Sequence, residues 1–243
     1  MRIDATDIHY RQLNEQIRVA LTNGADSVEL DHVLGQRYIG AGLGGQGRIT
    51  VNGTPGNDLG AFMDGAELVV RGNAQDGVGN TMGSGRIVIH GDAGDIVGYS
   101  MRGGRVLVRG SVGYRAGIHM KAYRGRFPVL VIGGSAGDYL GEYMAGGVLV
   151  VLGLDDGDRS QVGEWVGTGM HGGAIYVRGP LEQHQTGAEV GIGPVEDADA
   201  QMLAGIIEDF RETFGLGEFA FRPGEFRRLF PQSARPYGNL YAY

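Results

Sequence analysis

One residue pattern that could support catalysis lies in the middle of this 243-residue chain. Gly133, Ser135 and Gly137 satisfy GxSxG, which in α/β hydrolases places a nucleophilic serine on a sharp turn after a strand. His171 or His184 would then be the candidate base. The residues that follow, DYLGEYMAGG, predict no helix behind the serine, and strands and helices do not alternate around it. An esterase is therefore an alternative rather than the main interpretation.

A second set of polar residues recurs at matching turn positions and could hold a metal ion. Stacked carboxylates bind calcium in some lyases and repeat toxins, whereas Asx turns are the commoner reason for such residues at corners. A calcium-binding polysaccharide lyase is thus another alternative. The six histidines show no metal-binding spacing, and corner hydrogen bonds are expected for His119 and His171. The matching turn residues are Asn57, Asp76, Asp95 and Asp138.

The composition excludes several other chemistries. The chain contains no cysteine, so it has no disulfide, thiolate zinc site, cysteine-bound iron–sulfur cluster or thiol nucleophile of its own. Its net charge of −7 favours neither nucleic acid nor an anionic membrane as a partner. It shows no signal-peptide pattern and no apolar run of about 18 residues, so the expected location is cytoplasmic.

The chain contains 47 glycines, and many of them belong to an internal repeat. Six-residue apolar segments ending in glycine recur at spacings of 19, 19, 19, 23, 20 and 26 residues. The second and fourth residues before each glycine are aliphatic, which predicts that both face a core, because side chains alternate along a strand. The segments are RITVNG, ELVVRG, RIVIHG, RVLVRG, PVLVIG, VLVVLG and AIYVRG, which end at Gly53, Gly72, Gly91, Gly110, Gly133, Gly153 and Gly179.

The segments between these strands repeat as well. Six of the eight methionines share one position in the repeat, which predicts an apolar ladder in the core. One short strand per repeat cannot bury its inner face unless the repeats stack. The sequence therefore predicts an all-β fold: a single-stranded, right-handed parallel β-helix of about seven coils with short flanking α-helices. The ladder methionines are Met63, Met82, Met101, Met120, Met144 and Met170.

The segments outside the repeats predict flanking helices. Residues 6–23 and 197–214 carry apolar residues at helical spacing, and each stretch ends next to a glycine. The proline-broken, aromatic tail from residue 216 is expected to lie along a surface. The expected parts are an N-terminal helical cap at 1–26, the β-helix at 27–180, and a C-terminal helix with an extended tail at 181–243.

The outward face of the predicted strands changes character along the repeat. Its charged column, with Arg71, His90 and Arg109 one coil apart, needs an acidic neighbour because like charges repel. In coils five and six the outward positions are apolar, and an apolar face of this size must be covered. Either the C-terminal helix or a partner chain covers it, so these positions are interface candidates. The apolar candidates are Leu130, Ile132, Val148, Val150 and Leu152.

An ordered run of motifs resembles one known family. The segments VLGQRYIGAGL, GTPGNDLGAFMDG, GNAQDGVGNTMGSGRIVIHG, GEYMAGGVLVVLG and VGTGMHGGAIYV resemble the C-terminal GXGXG β-helix domain of the glutamate synthase large chain, across about residues 27–180. The chain looks like the split form, in which this domain is a separate polypeptide in archaea and some bacteria. It is also similar to the matching subunit of N-methylglutamate synthase and, more distantly, to the equivalent subunits of formylmethanofuran dehydrogenase and of the formyltransferase/hydrolase complex.

The resemblance implies a subunit of an enzyme that makes glutamate from glutamine and 2-oxoglutarate. In that family a glutamine amidotransferase releases ammonia, and an FMN-dependent synthase carries FMN and an iron–sulfur cluster. The family assigns no catalytic residue to the β-helix domain, so no catalytic, cofactor-binding or metal-binding residue is expected here. The expected role is a scaffold and docking surface for those two partner chains. The runner-up is the equivalent scaffold of a formylmethanofuran dehydrogenase or formyltransferase/hydrolase complex.

Overall fold

The computed structural model describes residues 1–154, 160–217 and 221–234. Two helices, α1 (Tyr10–Thr22) and α2 (Asp197–Phe214), accompany a single sheet. The sheet has eleven strands within the described ranges, in the spatial order β1 to β9, then β11, then β10. The strands are β1 (Arg2–Asp4), β2 (Ser27–Leu34), β3 (Arg48–Thr54), β4 (Asp64–Val70), β5 (Ser84–Ile89), β6 (Arg105–Val108), β7 (Val129–Ile132), β8 (Ala145–Val151), β9 (Gly172–Arg178), β10 (Val190–Gly193) and β11 (Phe226–Pro231).

The strands β1 to β9 form a parallel solenoid. Each strand from β1 to β8 pairs in parallel with the next one along the chain. The seven predicted segments correspond to β3–β9, and six returns connect them. The predicted parallel solenoid with two flanking helices is thus confirmed. The sequence pattern missed β2, because a bulge between Leu30 and Val33 interrupts its alternation.

The interior of the solenoid is a continuous apolar core. All six ladder methionines have no exposed surface and belong to one cluster with the inward strand residues, as predicted. Burying a large apolar side chain stabilises a fold by about 1.5–3 kcal/mol. Since each methionine lies in the core between stacked coils, the ladder ties successive repeats together rather than supplying ligands.

The predicted orientation of coil five is wrong. Leu130 pairs with Val106 and Ile132 pairs with Val108, so both side chains point into the core instead of outward. Their outward neighbours are Val129 and Val131, which belong to a second apolar cluster. The physical reason is the double glycine that ends this segment. Its second member, Gly134, is the true equivalent of Gly110. The spacing between these two glycines is 24 residues instead of the usual 19, so the return before β7 contains five extra residues.

The recurring turn carboxylates connect successive coils. Oδ1 of Asp76 accepts a hydrogen bond from the backbone N–H of Asp95 at 2.9 Å, and Asp95 accepts one from Tyr114 at 2.8 Å. Asp138 accepts from Glu164 in the same way, at 2.9 Å. The expected Asx turns within one coil are therefore replaced by bonds between coils. No group of three or more His, Asp or Glu residues within the described ranges could hold a metal ion.

The helices follow the predicted pattern closely. The first begins at Tyr10 rather than at residue 6, because Asp4 accepts the N–H of Thr6 and Asp7 has a φ of +56°, which holds residues 4–7 in a turn. The second has the predicted bounds, and Gly215 ends it in the left-handed conformation. Helix α2 buries Leu203, Ile206, Ile207 and Phe210.

The tail forms a strand that the sequence analysis did not predict. The strand β11 pairs antiparallel with both β9 and β10 and so covers the last parallel edge of the solenoid. A covered edge does not offer free backbone groups to another chain. Its residues, FRRLFP, lie outside the repeat and end in proline, so periodicity gave no signal for them. The aromatic residues after position 234, and Phe219, lie outside the described residues.

Candidate functional site

The apolar interface candidates are buried within the chain. Leu130 and Ile132 lie in the solenoid core, while Val148, Val150 and Leu152 face outward, as expected. Helix α2 covers these three and packs Leu203, Ile206, Ile207 and Phe210 against them in a second apolar cluster. Of the two covers that the sequence left open, the C-terminal helix is the one present in this chain.

The charged interface candidates form the column expected from the repeat. The N–H groups of Arg71, His90 and Arg109 donate to carbonyls of the preceding coil at 2.8–2.9 Å, which places the three residues one coil apart. The ring of His90 meets the ring of Phe214 edge-on, with centroids 5.2 Å apart. Burial lowers the pKa of His90, and the positive charge of Arg71 lowers it further. Both effects favour the uncharged ring, which packs against Phe214 as an aromatic residue.

An acidic residue of α2 contacts a different column of arginines, the one that contains Arg86 and Arg105. Asp209 forms ion pairs with Arg86 at 2.8 Å and with Arg105 at 2.5 Å. Burial raises the pKa of Asp209, but the hydrogen bonds and charges of both arginines outweigh burial and hold the pKa below its ordinary value. On the strand face, Glu67 lies between Arg48 and Arg86 on the neighbouring strands, 3.4 Å from Arg48, so opposite charges alternate across these three strands. These contacts fix α2 on the strand face.

The serine candidate has a structural role. The backbone N–H of Ser135 donates to Oγ of Ser111 at 3.0 Å, and the two hydroxyls lie 3.1 Å apart. His171 contacts the carbonyl of Gly169 at 3.2 Å, which is the corner contact expected for it. No hydrogen bond joins Ser135 to a histidine in the described part of the chain, so the structure does not assemble the nucleophile and base of the esterase alternative.

The returns share an unusual backbone conformation. In the return between β4 and β5, Gly77, Gly79 and Thr81 have φ values of +73°, +69° and +53°. The outer two donate their N–H groups to the following coil, and the middle one donates to the preceding coil, at 2.7–2.9 Å. Three left-handed residues at alternate positions thus connect each coil to both neighbours. A side chain at such a position costs about 1–2 kcal/mol relative to glycine.

Side chains nevertheless occupy most of the outer left-handed positions. The first position holds Tyr38, Asp58, Gly77, Ile96, Arg115, Tyr139 and Trp165 in successive coils. The last position holds Gly42, Phe62, Thr81, Ser100, His119, Tyr143 and Gly169. Because glycine occurs in some coils of each column, the fold does not require a side chain there.

Towards the C-terminal coils these positions form a stacked surface, here called the turn ladder (Arg115, His119, Tyr139, Tyr143 and Trp165). The guanidinium of Arg115 lies 4.5 Å from the centre of the Tyr139 ring, which stacks on Trp165 at 6.4 Å. His119 stacks on Tyr143 at 5.2 Å with nearly parallel rings. Trp165 is 52% exposed and Tyr143 is 37% exposed. The turn ladder is therefore an ordered aromatic and cationic surface that faces solvent.

A buried carboxylate orients the cation of this surface. Glu142 is 8% exposed and accepts a hydrogen bond from Nε of Arg115 at 3.0 Å. On the other side, Gly169 leaves room for Tyr143, because a β-carbon there would lie 2.4 Å from its ring. Ring stacking contributes about 0.5–1.5 kcal/mol per pair, which does not exceed the backbone strain at these positions. Stability alone does not account for the turn ladder.

A family model described as the GXGXG motif matches residues 5–220. The chain belongs to the GXGXG family. This match confirms the recognition of a GXGXG domain of the glutamate synthase C-terminal type. In this chain, glycines at alternate positions occupy left-handed positions of the returns, as in Gly77 and Gly79.

Two relatives of this GXGXG chain extend the comparison. An uncharacterized protein of Methanocaldococcus jannaschii is 47% identical over 248 residues, covering 98% of this chain and 95% of the relative. The crystal structure of the formyltransferase/hydrolase complex from Methylorubrum extorquens, solved with methylofuran, contains a similar chain. The TM-score is 0.61 at 22% identity, and the alignment covers 86% of this chain and 83% of that one. The second comparison shows a shared fold.

The sequence analysis did not identify the turn ladder of this GXGXG domain. The signal was present in the columns around the aligned glycines, where Gly77 and Gly169 alternate with arginine, histidine, tyrosine and tryptophan. Only the backbone shows that these columns are left-handed and stacked. No described helix combines the length and the apolar character needed to cross a membrane.

Proposed function

We propose that this chain is a non-catalytic GXGXG β-helix subunit, which acts as scaffold and docking surface for the catalytic chains of a multi-subunit enzyme. The observation that carries the proposal is the turn ladder, an exposed and ordered aromatic surface built on positions where the fold favours glycine. Strained residues that persist without a stability gain are typical of functional sites. Tryptophan, tyrosine and arginine are also the residues that dominate binding energy at protein interfaces.

The contribution of such a scaffold to catalysis is preorganisation. A rigid solenoid that holds two catalytic chains at a fixed separation lets a reactive intermediate pass between them without diffusing away. The stacked turn ladder suits this role because its side chains are already fixed, so a partner does not lose free energy by ordering them. Cofactors of the reaction would be carried by the partner chains.

Two assemblies are candidates for the complex. The fold likeness to a chain of the formyltransferase/hydrolase complex favours a formyl-transferring assembly, in which this chain is the equivalent β-helical scaffold. The ordered motifs quoted above favour a glutamate synthase-like assembly, with a glutamine amidotransferase chain and an FMN-dependent synthase chain that carries FMN and an iron–sulfur cluster. The two assemblies differ in their partner chains, so the partners decide between them.

The test is purification of the tagged chain from its native cell, with mass spectrometry of what co-purifies in stoichiometric amounts. Formyltransferase-type chains would assign the first assembly, and amidotransferase and synthase chains the second. A chain that purifies alone from cells containing those enzymes would contradict the scaffold role.

One variant of the turn ladder, compared with a control variant outside it, tests the docking surface itself. The double variant Tyr139→Ala, Trp165→Ala should reduce recovery of the partner at least tenfold, since one interface anchor contributes about 2 kcal/mol or more. The control is Phe62→Ala, an aromatic at an equivalent left-handed position that is 64% exposed and lies outside the turn ladder. Equal thermal stability of both variants excludes misfolding. Unchanged recovery with the ladder variant would contradict the assignment of this surface.

A further inference from the structure

The long return before β7 projects a separate feature from the solenoid. Because Gly134 is the equivalent of Gly110, this return contains five residues more than the return of a regular 19-residue repeat. The extra residues and their immediate neighbours form a small hairpin, here called the basic hairpin (residues 121–127). All seven of its residues are exposed. Its aromatic side chains, Tyr123 and Phe127, are 49% and 51% exposed.

The basic hairpin has a defined shape. Tyr123 and Arg126 exchange both backbone hydrogen bonds, at 2.8 and 3.0 Å. The two residues between them, Arg124 and Gly125, have φ values of +50° and +77°, which is the pattern of a tight type I′ turn. Nη1 of Arg126 reaches back to Oδ1 of Asp64 at 2.9 Å and fixes the hairpin against earlier coils. A partner would therefore meet a preformed surface.

Four positive charges meet at this hairpin. Arg102 and Lys121 each follow a ladder methionine and donate their N–H groups to the preceding coil, so they lie one coil apart. Arg124 and Arg126 add two more charges on the hairpin. In the part of the chain that the structure describes, Asp64 is the one carboxylate that forms an ion pair with any of the four. This local excess stands out in a chain with a net charge of −7.

We infer that the basic hairpin, together with Arg102, binds an acidic segment of a partner polypeptide. The inference rests on the proposed scaffold function and adds the chemistry of the partner to it. Adjacent like charges favour a carboxylate-rich neighbour, and the exposed tyrosine and phenylalanine beside them favour a polypeptide surface. A short acidic segment can stay on this local patch, whereas an extended nucleic acid would run onto the rest of a chain whose net charge of −7 opposes it.

The chain offers a specific chemical probe of this contact. Lys121 is the only lysine in the sequence. The other 20 of its 21 lysine and arginine residues are arginines. A water-soluble carbodiimide joins an amine directly to a carboxylate with which it is in contact. Among the side chains of this sequence, only Lys121 can supply that amine. The probe is applied to the complex purified from the native cell.

The expected result is an amide between Lys121 and an aspartate or glutamate in an acidic segment of a partner chain. Lys121→Arg should remove this cross-link and leave partner binding within twofold, because arginine keeps the charge. A Lys121 cross-link to a second copy of this chain, or no Lys121 cross-link in the intact complex, would overturn the inference.

A charge-reversal experiment measures the energy of the contact. Lys121→Glu combined with Arg124→Glu should weaken partner binding at least tenfold and reduce its dependence on salt. The matched control is Arg37→Glu with Arg227→Glu, which makes the same change in net charge at two exposed positions away from the hairpin. Equal losses in both double variants would overturn the inference, since only net charge would then matter.

The outcomes separate this inference from the function on which it rests. If no stoichiometric partner co-purifies, the proposed scaffold function fails and the inference fails with it. If the partner co-purifies and depends on Tyr139 and Trp165 but not on Lys121 and Arg124, the scaffold function stands and only the basic hairpin assignment is overturned.

Discussion

At the scale of single residues, the close stacking of coils explains where a glycine is required. A β-carbon added to Gly94 would lie 2.1 Å from Oδ1 of Asp76, the oxygen that accepts the N–H of Asp95. The same relation holds for Gly113 with Asp95 and for Gly163 with Asp138. Glycine is therefore needed at these positions by the side chain of the preceding coil, without any need for a left-handed backbone.

This relation predicts the effect of one methyl group. Gly94→Ala should lower the free energy of unfolding by about 1–3 kcal/mol, because the added carbon displaces the Asp76 carboxylate and breaks its hydrogen bond with the N–H of Asp95. The matched control is Gly205→Ala in α2, where no atom lies within 4 Å of the added carbon. That change should stabilise the helix by about 0.5–1 kcal/mol. Urea unfolding of both variants measures the difference, and a loss of stability in both or in neither would contradict the argument.

Residue periodicity also marks the limit of what the sequence could predict. The alternation of aliphatic residues correctly predicted the inward faces of the regular coils and the methionine ladder, since both depend on spacing within one repeat. The orientation of Leu130 and Ile132 could not follow from that pattern, because four consecutive apolar residues read equally well in either phase. The 19-residue spacing from Gly134 to Gly153 was the one signal of the true phase.

At the scale of elements, α2 completes the strand face. Its apolar residues cover Val129, Val131 and Val150, and its Asp209 lies between Arg86 and Arg105. Hydrophobic periodicity predicted the bounds of this helix, and the apolar outward positions predicted that something must cover them. The ion pairs were not predictable, because the register between helix and strands depends on packing in three dimensions.

The Asp209 contacts predict a pH-dependent attachment of α2. The pKa of Asp209 is lower in the folded protein than in the unfolded chain, so its stabilising contribution is present above the unfolded pKa of about 3.9. The contribution is lost as pH falls below that value through the folded pKa. Asp209→Asn should weaken docking by about 1–3 kcal/mol at pH 7, since hydrogen bonds to a charged group are lost.

Hydrogen exchange of the α2 amides measures this attachment. At pH 7, exchange should be faster in Asp209→Asn than in the natural protein, while β3–β6 stay protected. The difference between the two proteins should shrink as pH falls below about 3.9, the ordinary pKa of an aspartate, and through the lower pKa of folded Asp209. Asp4, Asp31 and Asp64 also have lowered pKa values, but they are present in both proteins and cancel in the comparison. A difference that is independent of pH would argue against the ion pairs as the cause.

At the scale of the whole molecule, the two candidate surfaces lie on parts that α2 leaves uncovered. The turn ladder follows the returns of the C-terminal coils, and the basic hairpin projects from the extended return before β7. In the solenoid, helix α2 covers the strand face, whereas the returns stay exposed and can contact partners. Function could not be predicted at this scale from periodicity, because the returns that carry it are the places where the repeat varies.

The one-dimensional architecture predicts that a whole coil can be removed. Stability in such folds depends on contacts between neighbouring repeats, so a deletion that preserves register keeps those contacts. Deleting residues 69–87 removes 19 residues and joins Leu68 to Val88, which leaves Ile89 inward and places Glu67 beside Arg105. Deleting residues 69–88 removes one residue more and turns His90 toward the core. We expect the first protein to unfold cooperatively with a lower midpoint and the second to show no cooperative transition by circular dichroism; equal behaviour would mean that the repeat register does not determine the fold.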